Sequence, residues 1–77
     1  MVTKELNYQS ENECLVIRIT KNDEYGWDVD IHQFPNPSLT GSYTDFSKLV
    51  DDIKPFILTN MTVEERIDFA KKLEELA

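Results

Sequence analysis

The chain has a single cysteine, Cys14, so no internal disulfide can brace it. It has two glycines, Gly26 and Gly41, and they stand apart, so it carries neither a glycine-rich phosphate loop nor a dinucleotide fingerprint. It has one histidine and no CxxC or HxxxH spacing, which removes the usual metal-ligand patterns; neither a metal nor a cofactor is expected. No apolar run is long enough to span a bilayer, and Met1-Val2-Thr3-Lys4-Glu5 contains no apolar stretch, so a secretory leader is not expected. Basic residues are scarce. Eight Lys and Arg stand against 15 Asp and Glu, a formal charge of −7, and no Lys or Arg lies between residues 22 and 47. Such a field repels nucleic-acid phosphates and anionic membranes and attracts basic protein surfaces. A reducing cytoplasmic setting is the expected compartment.

What is present is enough for one domain, 1–77. Its clearest signal is Trp27-Asp28-Val29-Asp30-Ile31-His32, which alternates apolar and polar at every step. That period marks a half-buried β-strand with an acidic outer side. Cys14 to Thr20 is rich in β-branched residues and reads as a second strand. Leu6 and Tyr8 suggest a short strand before it, closed by the turn Ser10-Glu11-Asn12. The two strong strands form an antiparallel hairpin, with Leu15, Ile17, Ile19, Tyr25, Trp27, Val29 and Ile31 on the buried face. A turn centred near Asp23 sets Ile17 against Val29, Arg18 against Asp28, Val16 against Asp30 and Cys14 against His32. A slip by one residue would expose the whole apolar set, whereas a slip by two preserves both faces.

The segment 34–38, with Pro35 and Pro37, is a loop, and Leu39 to Thr44 returns as a short strand. Asp45 is the N-cap of a first helix, whose stripe Phe46, Leu49, Val50, Ile53 and Ile57 keeps helical spacing. Pro55 interrupts it, and a kinked or restarted turn reaching Leu58 is expected. Thr62-Val63-Glu64-Glu65 is a capping box opening a second helix from Val63 to about Leu76. This explains Thr62 better than the glycosylation sequon Asn60-Met61-Thr62. Val63, Ile67, Ala70 and Leu73, widened by Phe69 and Leu76, form the apolar side of that helix. Asp68 and Lys72 make a favourable i,i+4 pair. The expected architecture is α+β: a three- or four-stranded antiparallel meander followed by two C-terminal helices packed on one face.

The other sheet face then carries Cys14, Val16, Arg18, Thr20, Asp28, Asp30 and His32. Asp28 and Asp30 lie about 7 Å apart by strand rise, a separation usable in acid–base chemistry, but a bare sheet face supplies no cleft to perturb them. Cys14 beside His32 is the arrangement an activated thiol would use, the enzyme alternative. Tyr25, Trp27, Tyr43, Phe46 and Phe69 read as core rather than as a base-stacking platform, because basic residues are missing around them. Val16, Arg18, Asp28, Asp30 and His32 are therefore expected to bind a partner rather than to catalyse. The function expected is a non-enzymatic interaction, inhibitor or regulatory module. Its partner would be a protein with a basic surface or a second copy of the chain, with a nucleic-acid mimic as one version.

The order strand, strand, proline-bearing loop, short strand, helix is similar to that of HicB-like antitoxin domains. It rests on Gly26-Trp27-Asp28-Val29, Phe34-Pro35, Thr40-Gly41 and Asp45-Phe46-Ser47-Lys48-Leu49. That resemblance implies a small antitoxin-like regulatory subunit. The proline–glycine usual after the second strand is missing and no DNA-binding segment follows, so no residue role is carried over.

Overall fold

A computed structural model describes residues 3–11, 13–34 and 38–77. Four strands, β1 (Thr3–Gln9), β2 (Leu15–Asn22), β3 (Gly26–Gln33) and β4 (Leu39–Tyr43), form one antiparallel sheet in chain order, followed by α1 (Phe46–Asn60) and α2 (Val63–Leu76). The expected α+β meander holds, and the first strand is a full member of the sheet. Of the expected loops, Asn12 and residues 35–37 lie outside the described residues.

Alternation decides which face is buried. Leu15, Ile17 and Ile19 of β2 and Ile31 of β3 are fully buried, and they join Leu6, Val29, Leu49, Ile53, Met61, Phe69, Leu73 and Leu76 in one core. Trp27, Tyr43 and Phe46 pack partly buried against it, but Tyr25, expected with them, sits in the β2–β3 turn and is exposed. Both helices cover this one face, α2 against β1 and α1 against β3 and β4.

The hairpin register differs from expectation by two residues. Ile17 faces Ile31, Arg18 faces Asp30, Val16 faces His32 and Thr20 faces Asp28. The faces survive because the slip is even. The turn chemistry accounts for the shift. Gly26, opposite Asn22, adopts φ of +120°, and the Asn22 side chain accepts a hydrogen bond from the Glu24 amide at 2.8 Å. The turn is thereby centred on Glu24 rather than Asp23.

Asp45 caps α1 by accepting from the Ser47 amide at 2.9 Å. The helix is continuous from Phe46 through Pro55 to Asn60, so it does not restart at the proline and reaches past the expected Leu58. Pro55 and Asp51, whose carbonyl loses its donor, both lie on the exposed side, where solvent takes the place of the missing bond. Burial of Phe56 and Ile57 and the hydrogen bonds from Asn60 Nδ2 to Gln33 Oε1 and the Phe56 carbonyl hold the final turns in place.

The capping box at Thr62 and Glu65 forms as expected. Glu65 also accepts from the Tyr8 hydroxyl at 2.8 Å and the Glu11 amide at 3.3 Å, which ties the start of α2 to β1 and its turn. The Asp68–Lys72 pair closes at 3.2 Å. One expectation fails: α2 is rotated so that Phe69, Leu73 and Leu76 point inward, while Val63, Ile67 and Ala70 face outward. The anchor at Glu65 selects this rotation, because Glu65 lies on the same side of the helix as Phe69, Leu73 and Leu76.

A Cβ on Gly26 would fall 2.1 Å from the Tyr43 carbonyl oxygen, in a backbone region that side chains rarely enter. Gly26→Ala is expected to cost at least about 2 kcal/mol, read as a lower urea midpoint; wild-type stability in this variant would contradict the turn described. Burial, and then the hydrogen bond to Glu65, push the Tyr8 hydroxyl up to about 12. A raised tyrosine contributes stability that is complete below its ordinary value near 10 and is lost as pH rises through about 12. Urea midpoints measured across that alkaline range should fall for the wild type and fall less for Tyr8→Phe.

Candidate functional site

The face of the sheet away from the helices is built by strand alternation alone. β1 contributes Glu5 and Asn7, β2 contributes Val16, Arg18 and Thr20, β3 contributes Asp28, Asp30 and His32, and β4 contributes Thr40 and Ser42. All five expected binding residues, Val16, Arg18, Asp28, Asp30 and His32, lie on it. Arg18, Asp28, Asp30 and His32 line a depression of about 470 Å³ together with Thr20, Thr40 and Ser42.

The acidic groups are held by hydroxyls rather than by cations. The Tyr25 hydroxyl donates to Asp28 Oδ2 at 2.6 Å, and the Ser42 hydroxyl donates to Asp28 Oδ1 at 2.7 Å. These bonds, Tyr25 first, hold the Asp28 carboxyl below its ordinary range, because both favour the ionised form. Asp30 accepts from the Thr40 hydroxyl at 3.4 Å, and its Oδ1 lies 3.1 Å from His32 Nε2, an ion pair only when the ring is protonated. Arg18 does not bridge to Asp28, as the expected register implied. It turns toward the edge strand and pairs with Glu5 at 3.2 Å. The Glu5 carboxyl is lowered by the Asn7 amide first and by Arg18 second.

The thiol–imidazole arrangement does not form as expected. The register puts Val16 opposite His32, and the Cys14 carbonyl accepts from the Phe34 amide at 2.9 Å. Cys14 is thus two pairs further along the ladder, opposite Phe34, and the near neighbour of the imidazole is Asp30. Among the described residues, no group of three or more His, Cys, Asp or Glu side chains is placed to hold a metal.

The face is two-toned. Asp28, Asp30, Thr40 and Ser42 make one end polar and acidic. At the other end Val16 is 40 % exposed, and Phe34, the next residue of the outward alternation after His32, is 78 % exposed. Phe34, Tyr25, Thr40 and Ser42 were not singled out from the sequence as binding residues. The same period-two alternation that marked Asp28 and Asp30 also marks Phe34, and it marks Thr40 and Ser42 between Leu39, Gly41 and Tyr43.

No protein-family model matches the chain, and no curated protein or solved structure shows significant similarity to it. No helix of the described residues is long and apolar enough to cross a membrane.

The depressed Asp28 carboxyl yields a direct check. Its contribution to stability is present above the ordinary aspartate value of about 3.9 and is lost as pH falls through the lower folded value. In Tyr25→Phe, the Asp28 titration followed by NMR should move up toward the ordinary value, while Thr40→Ala leaves it in place. No movement in Tyr25→Phe would show that the phenol does not hold the carboxylate.

Proposed function

We propose that the chain is a small non-enzymatic interaction module, and that its open sheet face receives a protein presenting a basic surface beside an apolar one. One observation carries this reading: Asp28 and Asp30 stand on an uncovered sheet face while its single arginine is drawn aside to Glu5. A cation brought by a partner would meet carboxylates already oriented by hydroxyl donors, so little ordering entropy is lost on contact. Val16 and Phe34 at the other end of the face supply the apolar contact that gives an interface most of its affinity.

An enzyme is the weaker reading. Cys14 and His32 are not opposite each other, and the carboxylates lie on a sheet face rather than in an enclosed cleft. A mimic of nucleic acid is one form of the favoured reading, since a protein that grips phosphates would accept a carboxylate-bearing face. An inhibitor or antitoxin-like subunit is another. A reducing cytoplasm suits the lone Cys14.

Capture on the immobilised chain tests this. Wild-type protein should retain a basic partner whose affinity falls steeply with salt, and Asp28→Asn/Asp30→Asn should weaken retention by about tenfold or more. Capture of neutral or acidic proteins only, or capture indifferent to the double substitution, would overturn the assignment.

A further inference from the structure

The outward stripe of α2 is absorbed neither by the core nor by the sheet face. Val63 is 66 % exposed and Ile67 55 % exposed, and Ala70 and Glu74 continue the same line. Leu58, half exposed, adjoins its N-terminal end, where Arg66 Nη2 donates to the Leu58 carbonyl at 3.0 Å. The spacing of Val63, Ile67, Ala70 and Glu74 is four, three, four, the seam spacing of paired helices, over about 16 Å of axis at 1.5 Å per residue.

We propose that this stripe is a self-association surface, on which the α2 helix of a second copy packs antiparallel about a two-fold axis. The charges beside the stripe select the occupant and its direction. Glu64 and Lys71 are seven residues apart on the same flank, and both are exposed. Among the described residues, neither makes an ion pair or hydrogen bond within the chain, whereas Asp68 and Lys72, further round the helix on the same side, satisfy each other. In an antiparallel pair, Glu64 of each copy faces Lys71 of the other, so the two-fold makes the complementary contact twice. Ile67 then packs against Ala70, and Val63 packs near Glu74. A parallel pair would instead bring Arg66 beside Lys71 of the second copy, like charge to like. The stripe is short and its side chains are small, so the contact is well under the area of a stable dimer, and its dissociation constant falls at about 0.1–1 mM.

Sedimentation equilibrium of the full chain, from about 10 µM to about 1 mM, tests this. The apparent mass should rise from 9.0 kDa toward that of a dimer. Ile67→Lys should weaken association by at least about tenfold, with an unchanged circular dichroism spectrum because Ile67 lies outside the core. Glu64→Lys alone should also weaken it, and Glu64→Lys/Lys71→Glu should restore it. Asp28→Asn/Asp30→Asn should have no effect, which separates this surface from the sheet face. A mass that stays monomeric to about 1 mM, a dimer indifferent to Ile67→Lys, or a double charge swap that fails to restore association would each overturn the proposal.

Discussion

One constraint governs the molecule: β2 must hide every second side chain. Leu15, Ile17 and Ile19 have no exposed surface, and they lie at the centre of the core. Burying each is worth about 1.5–3 kcal/mol, whereas a solvent-screened ion pair such as Arg18–Glu5 adds little beside that. Apolar burial therefore decides which way the sheet faces, and polar contacts only adjust what is left. With the apolar side committed to the helices, Asp28, Asp30 and His32 have no place to go but outward.

The helices meet that apolar face by different means. α1 is amphipathic enough to lay Leu49 and Ile53 on the sheet, and its stripe continues past Pro55 because the disrupted carbonyl faces solvent. α2 has apolar residues spread over about half of its circumference, so hydrophobicity alone does not select its rotation. Glu65 does: it closes the cap at Thr62 and also receives Tyr8 and Glu11 from the β1 end of the sheet. These same bonds, the Thr62 backbone amide first, hold the Glu65 carboxyl below its ordinary range. Rotating Phe69, Leu73 and Leu76 inward leaves Val63 and Ile67 outside.

The two outer surfaces thus differ in chemistry for a structural reason. The sheet face is polar and acidic at one end and apolar at the other, and hydroxyls orient its carboxylates. The α2 face is apolar along Val63, Ile67 and Ala70 and carries charges at its edges and at the Glu74 end. The proposed basic partner rests on the charge of the first, and the proposed second copy on the Glu64–Lys71 set of the second.

Periodicity alone assigns the elements and the two sheet faces, because strict alternation in 27–32 and 15–19 and helical spacing in 46–57 each match one burial geometry. Local sequence also assigns both helix N-caps, since Asp45, Thr62 and Glu65 act within three residues of themselves. The placement of Val16, Arg18, Asp28, Asp30 and His32 on the outer face was legible from periodicity too: the parity of a strand assigns them to it. Which residues meet across the strands, and which side of α2 is buried, followed from contacts between distant parts of the chain. An even register slip leaves the apolar pattern unchanged, so the pairing of Arg18 with Glu5, and of Val16 rather than Cys14 with His32, depended on the geometry around Gly26 and on the added strand β1. The rotation of α2 depended on a hydrogen bond between residues 57 positions apart in the chain, Tyr8 to Glu65, which local periodicity does not encode.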